Sequence, residues 1–172
     1  MKTKLLVSVA VVALVAFSSA SQAVSTSIAA NITFESAITL TKNADINFGK
    51  VTANQANTYK ITTGGVVTTT GGAGTGVYLG GTTSAANVKI TGDATQTINI
   101  SASNYQPAVG VTPSLATCSY NGGTEVACTT LSNQIVSGTG KTLLIGASVT
   151  ADGTQNAGST ATPTFEITVT YN

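Results

Sequence analysis

Side chains able to do acid–base or metal chemistry are few in this chain and lie far apart along it. The 172 residues include no histidine, the commonest general base and metal ligand. The six carboxylates show no paired spacing, and two of them stand beside glycines, as turn residues do: Glu35, Asp45, Asp93, Glu125, Asp152 and Glu166. We therefore expect no catalytic residues, no metal site, no cofactor and no enzyme. A calcium site in the turns and a hydrolase with a carboxylate pair are minor alternatives.

The first 23 residues have the pattern of a secretory signal peptide. Lys2 and Lys4 precede an apolar run at 5–17, and the small residues Ser21 and Ala23 fit the positions before a cleavage site. Ala20 is a second candidate for cleavage. The run is too short to span a bilayer, and nothing later reaches that length. The sequence therefore predicts a secreted protein whose mature part, residues 24–172, is a single domain without a membrane span.

The low charge of the chain excludes one class of partner and favours another. Only 8 % of residues are charged, and removing Lys2 and Lys4 leaves five lysines against six carboxylates, a formal net charge of −1. Binding to nucleic acid needs clustered cations, which five scattered lysines do not supply. Weak repulsion between copies favours a subunit that assembles with itself.

Two cysteines, Cys118 and Cys128, flank the sequence SYNGGTEVA. A turn at 122–124 would place the two cysteines opposite each other across a hairpin, within reach of a disulfide. In an exported protein we expect a structural bond, since nothing nearby would lower a thiol pKa as redox chemistry requires.

Hydrophobic residues alternate with polar ones in short runs broken by glycine, asparagine and aspartate. This pattern predicts an all-β protein, an antiparallel immunoglobulin-like or pilin-like β-sandwich. The predicted strands are 28–34, 38–40, 45–51, 58–62, 65–70, 76–79, 88–91, 95–101, 115–120, 126–131, 141–150 and 163–171.

The alternation is clearest near the two ends of the mature chain. One stripe comprises Ile28, Ala30, Ile32 and Phe34, and the other comprises Phe165, Ile167, Val169 and Tyr171. Both strands could belong to one self-sufficient sandwich. Alternatively, residues 24–34 could be a donor strand that completes a neighbouring molecule by strand addition, which repeats head to tail into a filament.

The stretch ANITFESAITLTKNADINFGKV at 30–51 and the ending FEITVTYN resemble the secreted bacterial domain-of-unknown-function 4402 family. The ending also resembles pilins assembled by the chaperone–usher route, with Tyr171 as the penultimate aromatic residue and Gly158 as the glycine that precedes the strand. That resemblance implies a C-terminal assembly strand at Phe165, Ile167, Val169 and Tyr171 and donor residues at Ile28, Ala30, Ile32 and Phe34.

The pilin resemblance also implies partners and a location. The partners would be other copies of the chain, a periplasmic chaperone and an outer-membrane usher, and the product would be a fimbria on the cell surface, reached through the periplasm. The alternative is a monomeric or matrix-associated surface domain that binds glycan or protein through its glycine-rich loops.

Overall fold

The computed structural model describes residues 26–70 and 74–172, and the predicted signal peptide, residues 1–23, lies outside them. Contacts along the backbone divide the chain into Met1–Thr33 and Phe34–Asn172, and every described strand belongs to the second unit. The described strands are β1 (Thr39–Ala44), β2 (Lys50–Val51), β3 (Ala56–Ile61), β4 (Val67–Thr69), β5 (Tyr78–Gly80), β6 (Ala86–Thr91), β7 (Thr97–Gln106), β8 (Val111–Tyr120), β9 (Val126–Ala127), β10 (Leu131–Ile135), β11 (Lys141–Asp152) and β12 (Thr164–Tyr171). A 3₁₀ helix at Cys128–Thr130 separates β9 from β10.

The larger sheet is built around β11, its longest strand. One edge of β11 pairs with β8, and β9 lies outside β8. The other edge pairs with β6 as far as Ile145 and with β3 from Ala147 onward. β1 lies outside β6, and β4 lies outside β3. Gly146 therefore marks the point where β11 changes neighbours.

The smaller sheet has the order β10-β7-β12, and β2 and β5 form a separate ribbon. All strand pairs are antiparallel. Buried side chains from both sheets form a shared core, including Ile90 and Leu143 from the larger sheet and Ile98 and Ile100 from the smaller one. A second, smaller cluster of buried side chains lies around Tyr59. The predicted all-β antiparallel sandwich is confirmed, because two sheets with one apolar face each bury those faces against each other.

The prediction of a strand at residues 28–34 is wrong. Residues 26–38 form no helix or strand, although their alternation is as regular as that of β12. Alternation marks two faces of an extended segment, but a strand also needs a neighbour for its backbone groups. This segment pairs with no strand among the described residues.

Two other predicted strands differ from the structure, and one observed strand was not predicted, each for a local reason. The Asn47 side chain accepts the N–H of Gly49, whose φ is +74°. The predicted 45–51 strand is therefore reduced to a single bridge between Asn47 and Ser84 and to the short strand Lys50–Val51. The predicted 126–131 strand is interrupted by the 3₁₀ helix. β10 falls mostly outside any predicted strand, because its polar residues at 132–134 do not alternate with apolar ones.

Candidate functional site

The C-terminal strand β12 forms one edge of the smaller sheet. It pairs with β7 from Thr164 opposite Gln106 to Tyr171 opposite Ile98. No described strand pairs with its other edge. The four core-facing side chains pack against the buried core yet are only half-buried: Phe165, Ile167, Val169 and Tyr171. The core is therefore incompletely covered along β12, and the backbone at its outer edge has no strand partner in the described part of the chain.

Aromatic side chains stand at both ends of this stripe. At one end, Phe165 stacks on Tyr105 with ring centroids 5.5 Å apart. The Tyr105 hydroxyl accepts the N–H of Ala116 at 3.1 Å, which fixes the ring against β8. Tyr171 lies at the other end. The half-buried side chains from Phe165 to Tyr171 therefore form an apolar strip about the length of β12, with an aromatic ring at each end.

The hydroxyl of Tyr171 connects three parts of the chain. It accepts the N–H of Asp93 at 2.7 Å and donates to the carbonyl oxygen of Ser36 at 2.6 Å. Ser36 follows Phe34 by two residues, so this bond lies at the base of the predicted donor segment. The sequence pattern indicated Tyr171 only as an aromatic residue of the predicted assembly strand. It could not reveal the hydrogen bonds of the hydroxyl, because Ser36 and Asp93 are far from Tyr171 along the chain.

Two carboxylates that the sequence did not indicate as a pair meet beside this hydroxyl. A hydrogen bond with Asp93 and the charge of Asp93 raise the pKa of Glu35. Hydrogen bonds from the hydroxyl and N–H of Thr95, at 2.5 and 2.8 Å, with a smaller contribution from Glu35, lower the pKa of Asp93 to about 2. The pair therefore shares a proton most readily in mildly acidic solution, with the proton on Glu35.

This pair predicts a maximum in the pH dependence of stability. The contribution of Glu35 is complete below its ordinary pKa of 4.5 and is lost as the pH rises through its raised value. The contribution of Asp93 is complete above its ordinary pKa of 3.8 and is lost as the pH falls towards about 2. The cluster therefore favours the folded state most near pH 4. Carboxyl NMR titration should show the pKa of Glu35 falling to its ordinary range in Asp93→Asn. An unchanged Glu35 titration in that variant would show that Asp93 does not cause the shift.

The predicted donor residues are exposed. The exposed fraction is 89 % for Ile28, 75 % for Ile32 and 85 % for Phe34, and Ala30 is exposed as well. Large apolar side chains left in water lose the burial free energy of about 1.5–3 kcal/mol each that a packed position would provide. The stripe thus lacks the contacts that its alternation predicts.

Cys118 and Cys128 are joined by a disulfide and are both buried. The predicted hairpin register is wrong by two residues, since Cys118 faces Val126 rather than Cys128. The turn is formed by Asn121 and Gly122, both with positive φ, instead of by 122–124. Cys128 begins the 3₁₀ helix, which brings its Cα to 4.9 Å from that of Cys118.

Glu125 lies just after this turn and ties the hairpin to the end of β3. Partial burial opposes its ionisation, but the N–H and hydroxyl of Thr63, at 2.8 and 2.9 Å, together with Lys60, hold its pKa below the usual range. The Glu125 carboxylate therefore has a structural role, in which it links the hairpin to Thr63.

Gly158 precedes β12, which begins at Thr164. It has a φ of +85° and stands in a turn in which the N–H of Ser159 donates to Asn156. The end of β12 is held instead by amide side chains: Asn172 donates to Thr97 at 3.0 Å and to Asn133 at 2.5 Å.

Within residues 26–70 and 74–172, no group of three His, Cys, Asp or Glu side chains is arranged to hold a metal ion. Over the same residues, no helix is long and apolar enough to cross a membrane.

Comparison with known proteins gives a family but no individual relative. No curated protein and no solved structure matches the chain. The family described as "Domain of unknown function (DUF4402)" matches residues 38–171, a span that includes the whole of β12 and excludes the exposed stripe at 28–34. The chain belongs to the DUF4402 family.

Proposed function

We propose that this chain is an exported structural subunit of a fimbria or pilus-like surface filament, and that it polymerises by strand addition. The stripe at residues 28–34 of one copy is the donor, and the outer edge of β12 in the next copy is the acceptor. An immunoglobulin-like, pilin-like form of the sandwich is part of this proposal, as are export through the periplasm and assembly by a chaperone and an usher. The observation that carries it is the open edge of β12 with its half-buried side chains.

The two components are complementary in chemistry and length. Each offers four apolar residues at a spacing of two, so an added strand can place one stripe beside the other. The donor supplies exposed side chains, and β12 supplies an edge and an incompletely covered core. Because the contact joins different surfaces of identical molecules, it repeats head to tail, and it generates a filament where the rotation between subunits does not close a ring.

The opposite edge of the smaller sheet is poorly suited to strand addition. β10 has only five residues, and its register shifts between Leu131 and Gln134. The carbonyl oxygen of Ile135 already accepts hydrogen bonds from Tyr120 at 3.1 Å and Lys141 at 2.9 Å. Bulges, short length and side-chain contacts of this kind protect edge strands from pairing. Only the β12 edge of this sheet therefore offers a long ladder.

A gel of the surface-extracted protein tests the proposal. Without boiling, we expect a ladder of multiples of the subunit, because a joint with four buried side chains and a backbone ladder opens slowly. Boiling should collapse the ladder to one band. A single band in both lanes would contradict the proposal and favour the monomeric surface domain that binds glycan or protein.

A further inference from the structure

Tyr171 belongs both to the acceptor edge and to the base of the donor segment of the same molecule. Its ring is one of the four half-buried side chains along β12. Its hydroxyl donates to the carbonyl oxygen of Ser36 at 2.6 Å, and Ser36 follows the last residue of the donor stripe by two positions. The structure therefore has one side chain in contact with the two regions through which a subunit would join its two neighbours.

The position of this hydroxyl is closely restricted. Besides the bond from the Asp93 N–H, it lies against Gly92, where an added Cβ would come within 2.6 Å of the hydroxyl oxygen and 3.2 Å of the Val136 side chain. The hydroxyl therefore lies close to the backbone of the 92–93 turn, in a space that only a glycine at position 92 leaves open. A displacement of the ring would change the hydrogen bonds of its hydroxyl, including the one to Ser36.

We propose that Tyr171 couples the two joints of a subunit, so that a donor strand bound at β12 orders the base of that subunit's own donor segment. A strand added at the open edge packs beside the Tyr171 ring and restricts it, which strengthens the bond from its hydroxyl to Ser36. An ordered base presents the segment to the next acceptor with less conformational entropy to lose. Growth from an occupied subunit would then be favoured over the start of a new filament, and by linkage the effect is reciprocal.

The inference rests on the proposed function, and its test separates the two. The acceptor is the full chain carrying Ile32→Asp, which disables its own donor stripe, and the probe is a synthetic peptide with the sequence of residues 24–36. NMR follows two signals: the amides of β12, which report peptide binding, and the carbonyl ¹³C of Ser36, which reports the hydrogen bond from Tyr171.

We expect the peptide to perturb β12 and to shift the Ser36 carbonyl signal. In Tyr171→Phe the Ser36 response should disappear, and the affinity for the peptide should fall about fivefold, a typical coupling factor. Tyr105→Phe is the matched control, since it removes a hydroxyl bond at the other end of the strip without touching Ser36. That variant should keep the full Ser36 response.

The outcomes distinguish the two ideas. The coupling is overturned if the Ser36 response is unchanged in Tyr171→Phe. It is also overturned if the Ile32→Asp chain binds the peptide at β12 without any Ser36 response. Neither result contradicts strand addition. Failure of the peptide to perturb β12 at any concentration overturns strand addition, and the coupling with it.

Discussion

Ile32→Asp is expected to abolish filament assembly and to leave the subunit folded. Ile32 is 75 % exposed, so the substitution breaks no packing within the subunit. In the joint between subunits, the new carboxylate would lie against the apolar strip along β12. An unpaired charge there costs about 3 kcal/mol or more, which lowers the affinity of one subunit for the next ~100-fold. The unboiled gel should lose its ladder, while the thermal midpoint of the purified subunit stays within about 2 °C of the parent value.

Asn31→Asp is the matched control for this effect. It introduces the same charge at the neighbouring position, on the opposite face of the extended segment. Because that face points away from the core of the acceptor, the ladder should persist. Equal loss of assembly in both variants would mean that charge in the segment, rather than burial of one face, causes the defect.

Gly146→Ala is expected to be the most destabilising single-methyl addition in the larger sheet. A Cβ at this position would overlap the carbonyl oxygen of Ile61 and lie 2.8 Å from the Thr117 hydroxyl oxygen. Gly146 stands where β11 changes from β6 to β3, so backbone has to move to relieve the overlap. We expect a loss of about 3 kcal/mol in the free energy of unfolding, or about 10 °C in the thermal midpoint.

Gly138→Ala provides the comparison for that measurement. The nearest atom to a Cβ there is the Gly92 carbonyl oxygen at 3.9 Å, an ordinary contact. Its effect on the free energy of unfolding should stay within about 0.5 kcal/mol. A loss in Gly146→Ala as small as that in Gly138→Ala would show that the sheet relaxes around the methyl group.

The strands that bury one face were predictable, because alternation is the direct consequence of a pleated backbone with one side in the core. β12 was predicted at 163–171 and is observed at Thr164–Tyr171. The same alternation predicted a strand at residues 28–34, where the structure has none. Alternation records which face a segment would bury, and it does not say whether the surface that covers that face belongs to the same molecule.

The candidate site was predictable only in its apolar part. The stripe of β12 follows from spacing alone, whereas the contacts of Tyr171 with Ser36 and Asp93 depend on how β12, the 92–93 turn and the entry to β1 meet in space. The hairpin register failed for a local reason. Asn121 takes a left-handed φ of 51°, which moves the turn one residue earlier than the glycine pair suggests.

The most direct measurement of strand addition uses filaments grown from an equal mixture of ¹³C-labelled and ¹⁵N-labelled subunits. Solid-state NMR contacts between the two labels can arise only between different molecules. We expect such contacts to join residues 28–34 of one label to residues 164–171 of the other. If residues 28–34 contact β12 only within a single label, each molecule completes its own sandwich, and the proposed head-to-tail joint is contradicted.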